Sequence, residues 1–289
     1  MSGGGENGGE SSSAGSGAHG VTISVVIPAR DDASFLERAL TALERQTRRP
    51  DEVVVVDNGS TDDTAEVARR HGATVVDEPV QGILRATAAG FDAATGAILA
   101  RIDADSVPEP DWLARVEAAF TRPDAPTAYT GPGRFYDIAR AGDWAGRTFY
   151  LGGYVTWMTL FLGHPPLFGS NMALTKAAWM RIRSDVHRTD RRVHDDLDIT
   201  YHLLPDMTVE YDPTLVMPIS GRPFYSWRGF GRRLHWAFRT IGVNLPGQWP
   251  WQRWARRRVS RADRDARRLQ DARGDRARTP SRRAPADRS

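Results

Sequence analysis

Apolar residues in the first hundred positions follow two alternating periods. Val21-Thr22-Ile23-Ser24-Val25-Val26-Ile27 is a β-branched run closed by Pro28, the pattern of a strand covered on both faces. From Ala33 to Gln46, Phe35, Leu36, Ala39, Leu40 and Leu43 fall at helical spacing, and Val53 to Val56 forms a second apolar strand ending in Asp57. The alternation continues with a helix over Asp62 to His71, a strand over Thr74 to Val76, a helix from Ile83 to Ala94 and a strand from Ala97 to Ile102. Strands alternating with helices predict an α/β fold, a Rossmann-like and mostly parallel sheet with helices on both faces.

Beyond Asp111 the pattern loosens. A helix is expected from Trp112 to Phe120 and a strand near Thr127 to Thr130, followed by an uncharged stretch of fourteen residues from Phe149 to Leu162. A bilayer span needs about 20 residues, so this stretch reads as a buried helix or one lying in a membrane interface. Between Ser226 and Val243, Trp227, Phe230, Leu234, Phe238 and Ile241 form one helical stripe, with Arg228, Arg232, Arg233 and Arg239 at other positions. Such a basic amphipathic helix either packs its stripe on the core or docks on an anionic membrane face.

Composition narrows the classes. The chain has 289 residues, of which 40% are apolar, enough for a sizeable core, and it has no cysteine, which removes disulfides, thiolate metal sites and cysteine nucleophiles. The formal charge of +3 hides an asymmetry: Arg253 to Ser289 carries 14 Arg against 5 Asp, leaving the rest of the chain at −6. A basic run with little apolar content gives weak support for nucleic-acid binding, and no nucleic-acid partner is expected. Residues 1–20 are rich in Gly and Ser and read as a disordered leader without the basic start and apolar stretch of a secretory signal, so a cytoplasmic protein is expected.

In an open α/β sheet, ligands sit beyond the carboxyl ends of the strands. Three of those ends carry carboxylates: Pro28-Ala29-Arg30-Asp31-Asp32, Asp57-Asn58-Gly59-Ser60-Thr61-Asp62 and Asp103-Ala104-Asp105. Asn58-Gly59 also suits a turn, and Ser60 or Thr61 could cap the following helix. Asp103 and Asp105 are different: alternate residues leaving a strand point the same way, and two like charges so placed call for a cation. Hard oxygen ligands suit Mg²⁺ or Mn²⁺.

The segments VVIPARDD, VVVVDNGSTDDT, ARIDADS, FGSNMALTKAAW and VHDDLDITYHL, in that order from Val21 to Leu204, resemble glycosyltransferase family 2, inverting nucleotide-sugar transferases of the GT-A fold. The resemblance implies that Pro28, Ala29, Arg30, Asp32 and Asp57 hold the nucleotide. It makes Asp103, Ala104 and Asp105 the metal and diphosphate motif, with Asp105 the direct ligand. Gly169, Ser170, Asn171 and Asp195 would line the acceptor side, and Asp196 would be the general base. On this basis residues 21–125 form the nucleotide-sugar half, 126–225 the acceptor half, 226–254 the basic helical segment and 255–289 an Arg-rich tail.

This chain departs from the family pattern in two places. Arg30-Asp31-Asp32 stands where an aromatic and Asn-Glu are common, and Arg85-Ala86-Thr87-Ala88-Ala89-Gly90 lacks the usual Asn, so Arg85 is expected to supply a diphosphate contact. No Gln-x-x-Arg-Trp follows the base, which favours single addition over polymerisation. A UDP-sugar donor is favoured, with a glycan or polyprenyl-lipid acceptor and peripheral contact with an anionic membrane. Crowding of Asp195, Asp196 and Asp198 is expected to raise at least one pKa, and no histidine is assigned as a ligand. The competing readings are a non-catalytic sugar-nucleotide-binding scaffold and a nucleotidyltransferase, the latter opposed by the lack of glycine in Pro28–Asp32.

Overall fold

The structure, a computed structural model, describes residues 20–137, 152–222 and 227–278. The expected leader lies outside these residues except for Gly20, as do residues 279–289 of the expected tail. Strands β1 (Ile23–Ala29), β2 (Glu52–Asp57), β3 (Thr74–Asp77) and β4 (Ile98–Arg101) pair in parallel in the order β3-β2-β1-β4. β7 (Met172–Thr175) then runs antiparallel between β4 and β5 (Ala128–Thr130), and β8 (Val209–Tyr211) closes the far edge. β6 (Gly133–Phe135) and β9 (Met217–Ile219) form a separate parallel pair.

Side-chain alternation along β1 explains the two helical layers. Ile23, Val25 and Ile27 join Leu36, Leu40 and Leu43 of α1 (Ala33–Glu44) and Trp112, Leu113 and Val116 of α4 (Trp112–Thr121), with α2 (Thr64–Arg70) beside them. Val26 faces the other way, into a core with Leu84 and Phe91 of α3 (Ile83–Ala93), Trp179 of α6 (Lys176–Ile182) and Ile199 of α7 (Asp195–His202). Each such aliphatic side chain stabilises the fold by about 1.5–3 kcal/mol when fully buried, so a strand buried on both faces anchors both layers. Gly90 permits the contact on the α3 side, since a Cβ there would lie 2.4 Å from Val26 Cγ1.

Three helices complete the described chain: α5 (Gly152–Leu162), α8 (Trp227–Asn244) and α9 (Pro250–Arg278). α5 is divided, with Met158 and Leu162 buried while Trp157 is 74% and Leu160 56% exposed. Of the expected apolar stripe of α8, Leu234 and Phe238 are exposed and Ile241 packs beside Leu197 and Tyr201, the side chains of Trp227 and Phe230 lie outside the described residues, and the inward positions include Thr240 and Asn244, both buried and polar. Polar groups on the facing elements explain the inversion, because Thr240 Oγ1 accepts from the His194 N–H at 2.9 Å and Asn244 donates to Asp198 at 2.8 Å. The chain breaks between α8 and α9 at Pro246-Gly247, where Gly247 has φ +75°, and α9 runs unbroken through the expected division at residue 254. Among the described residues no helix is long and apolar enough to cross a membrane.

Candidate active site

The loops after β1 and β2 are knitted to each other. Asp31 adopts φ +51°, a left-handed conformation that Asp tolerates better than most residues, and its carboxylate accepts from the Thr61 N–H at 2.7 Å. That bond holds the Asp31 carboxyl below the usual range. Ser60 Oγ accepts from the Asp31 N–H at 3.1 Å, so Ser60 and Thr61 lock the neighbouring loop and do not cap α2. Asp57 Oδ1 accepts from the Ser60 N–H at 2.9 Å, and Asn58 pins the segment after β3 by donating to Glu78 O and Val80 O at 2.8 and 3.0 Å. Pro28 and Ala29 are buried within β1, so they set the exit of the loop and do not present side chains to a ligand. Arg30 is exposed and 3.6 Å from Asp31. Arg85, expected at a diphosphate, donates from Nε to Glu78 at 3.1 Å.

At the end of β4 a buried cation organises the acidic residues. Arg101, the last residue of β4, is 2% exposed, and its Nη2 lies 2.8 Å from both Asp103 Oδ1 and Asp195 Oδ2. Asp195 also accepts from Thr87 Oγ1 at 2.9 Å and is buried. Both partners come from inside the protein, so the Asp195 carboxylate anchors β4 and α3 to the start of α7. Asp103 is tied to Ser170 Oγ on its other oxygen. Asp105 faces Arg222, whose guanidinium bridges Asp105 Oδ2 at 3.2 Å and Asp32 Oδ1 at 2.8 Å while lying 3.7 Å from the Phe35 ring centroid. Burial, and then the charge of Asp103, pushes the Asp105 carboxyl up to about 6, against the opposing pull of Arg222. Each of the two guanidinium partners is shared with a further aspartate, Asp195 or Asp32, so the carboxylate pair is chemically suited to a divalent cation.

Asp196 stands at the N-terminus of α7. Its Oδ2 accepts from the Gly169 N–H at 3.0 Å and its Oδ1 from the Leu197 N–H at 2.7 Å. Gly169 is required here because a Cβ would lie 2.1 Å from Arg101 Nη1, so the 169–171 turn rests directly on the buried guanidinium. Burial, reinforced by the neighbouring Asp195 charge, raises the Asp196 pKa. The expected repulsion is therefore present, between Asp195 and Asp196. Asn171, expected on the acceptor side, is fully buried, accepts from Trp112 Nε1 at 2.9 Å and donates to Leu215 O at 2.6 Å. It braces the floor beneath Ser170.

The structure thus gathers Asp32, Asp103, Asp105, Asp195, Asp196, Gly169 and Ser170 around one basin, and it places Asn171 below and Arg85 against Glu78. Two residues were missed. Arg101 had a readable signal, a charge inside an otherwise apolar strand, LARID. Arg222 had none, since it reaches Asp105 across 117 positions.

A mostly parallel sheet with this acidic basin at its carboxyl edge is the GT-A glycosyltransferase fold. Two solved structures share it. One is the mannosyltransferase PcManGT of Pyrobaculum calidifontis in complex with GDP-Man and Mn²⁺ (TM-score 0.57, 20% identity, 86% of this chain and 76% of that one). The other is glucosyl-3-phosphoglycerate synthase of Mycobacterium tuberculosis with Mn²⁺, UDP and glucosyl-3-phosphoglycerate (0.57, 20%, 78% and 80%). Residues 24–183 match the model of glycosyl transferase family 2, more than half of the chain, and the protein belongs to that family. Its sequence is 37% identical to the glycosyltransferase AglE of Haloferax volcanii over 101 residues, 32% of this chain and 33% of AglE. The chain spans about a third of the length of the curated relatives it matches.

Proposed function

We propose that this glycosyltransferase moves a single sugar, with inversion, from a nucleoside diphosphate sugar to an acceptor hydroxyl or lipid phosphate, with Asp196 as general base. The observation that carries this reading is the shared floor of the basin: Gly169 holds Asp196 while the adjacent Ser170 holds Asp103. The base and the carboxylate motif are thereby fixed to consecutive residues. A general base must be ionised yet basic enough to take a hydroxyl proton, and a carboxyl raised by burial meets that need better than an ordinary one. Arg101 pairs with Asp103 and Asp195, leaving Asp196 as the carboxylate of this group without a guanidinium in contact among the described residues.

Asp103 and Asp105 would hold Mg²⁺ or Mn²⁺, which when bound neutralises charge on the departing diphosphate. Asp32, Asp57 and the Asp31–Thr61 lock form the nucleotide side. A UDP-sugar donor is favoured, and the complexes of the structural neighbours with GDP-Man or UDP and Mn²⁺ support this donor class. Peripheral docking on an anionic membrane face, presenting a polyprenyl-lipid acceptor, is supported by a second surface. Trp157 and Leu160 of α5 and Trp251, Trp254 and Val259 of α9 are exposed, and the two helices meet where Trp254 Nε1 donates to Leu160 O at 2.7 Å. Exposed Arg256, Arg258 and Arg261 share this part of α9, and interfacial helices combine aromatic and basic residues in this way.

Calorimetric titration with UDP, GDP and their sugar conjugates, with and without Mn²⁺, tests the reading. Metal-dependent binding of one nucleotide identifies the donor base. A folded protein that binds none of them overturns the donor assignment.

A further inference from the structure

We propose that His187, Asp198 and His202, with Asn244 supporting the Asp198 carboxylate, form a second metal site suited to Zn²⁺ and separate from the Asp103–Asp105 motif. Asp198 and His202 are one turn apart on α7, His187 comes from the turn after α6, and Asn244 ends α8. Asp198 Oδ1 is 2.8 Å from His187 Nδ1, and Asp198 Oδ2 is 3.6 Å from His202 Nδ1. Ligand atoms from all three residues lie within 4.8 Å of one another. Zn²⁺ bonds of roughly 2.0–2.2 Å in tetrahedral geometry separate neighbouring ligands by about 3.4 Å, a spacing that small side-chain rotations reach.

The charge of Asp198 points the same way. Its side chain is 0% exposed, and among the described residues its ionic partners within 4 Å are the two histidines alone. A carboxylate taken out of water needs a positive partner. Either an imidazolium or a bound cation has to supply it. The carboxylate is already oriented by the His187 N–H at 2.9 Å and Asn244 Nδ2 at 2.8 Å, the kind of outer support that metal-binding carboxylates receive.

Asn244 provides a separate observation. It is 3% exposed, and its Oδ1 is buried without a hydrogen-bond partner among the described residues. Its Nδ2 donates to Asp198 Oδ1 at 2.8 Å and to the Thr240 carbonyl at 2.9 Å, which fixes the amide and holds the carboxylate in place. Two imidazole nitrogens and one carboxylate, with a fourth position for water, favour Zn²⁺ or Co²⁺ over the hard ions that suit the all-carboxylate motif. His187 is 36% exposed and leaves a path from solvent. His202 Nδ1 also bonds the Asp198 backbone carbonyl at 2.8 Å, and a cation at Nδ1 replaces that bond as the proton on each ring nitrogen moves to Nε2 or to solvent.

The test uses the full chain, stripped with a chelator, carrying Asp103→Asn and Asp105→Asn so that the oxygen-rich motif cannot report. Titration with Co²⁺ is expected to give the visible bands of a tetrahedral ion at one equivalent, and Zn²⁺ is expected to displace them. His202→Gln should weaken binding at least about 100-fold and Asn244→Ala about 10-fold. His187→Gln, at a partly exposed position that leaves the core intact, should also abolish the bands and remove the Zn²⁺-induced rise in Tm. Absence of tetrahedral bands in the parent, or bands of full intensity in His187→Gln, would overturn the site and leave the Asp198 charge to an imidazolium.

Discussion

Asp196 and Asp198 are two residues apart on the same helix and meet opposite surroundings. Asp196 looks into the basin, held by two backbone N–H groups and raised in pKa by burial and by Asp195. Asp198 looks into the protein, where two histidines, an asparagine and a backbone N–H converge on it. One carboxylate is kept basic and short of positive charge, while the other is enclosed by donors. The acidic run HDDLD thus presents its carboxylates to two different surroundings, although Asp195 and Asp196 still repel each other. Residues at i and i+2 of a helix do not share a face.

Four substitutions or conditions break or sharpen this contrast. The largest effect is expected for Asp196→Asn, which should lower kcat by about 10²–10⁴-fold while leaving calorimetric donor affinity near the wild-type value. Equal loss of both would remove Asp196 from the base role. Its Tm at neutral pH should be unchanged or higher, because folding raises this pKa and the ionised carboxyl opposes folding above it.

Arg101→Met should cost about 3–5 kcal/mol, since it strands Asp103 and Asp195 as buried or half-buried charges. Chemical denaturation measures this, and adding Asp195→Asn should recover part of the loss. Asp198→Asn should cost about 1–3 kcal/mol by setting an amide N–H₂ against groups that already donate, a loss of stability where Asp196→Asn shows none. A similar Tm for both asparagine variants would erase the distinction.

The smallest effects are those of pH. Asp196 must be ionised to accept a proton, so kcat/KM should fall as pH drops through a pKa above the ordinary Asp value of about 3.9. Asp105, pushed up to about 6, must also be ionised to hold a cation, so Mn²⁺ affinity should weaken as pH falls below that value. An acid limb at the ordinary carboxylate range would show that neither group is raised in solution.

The sequence by itself determined the first four strands, the helices between them and the carboxylates at the strand ends, because these depend on short-range periodicity and on the rule that ligands bind beyond parallel strands. It also carried the family resemblance, which the match over residues 24–183 bears out. Tertiary structure decided what each carboxylate does. Asp195 became an anchor because Thr87 and Arg101 arrive from α3 and β4. Asn171 became a brace because Trp112 and Leu215 claim both ends of its amide. The apolar stripe of α8 stayed partly exposed because the groups facing that helix are polar. In each case the deciding partner lies at least 44 residues away, beyond the reach of any local pattern, and only folding brings the charges and donors close enough to set a role.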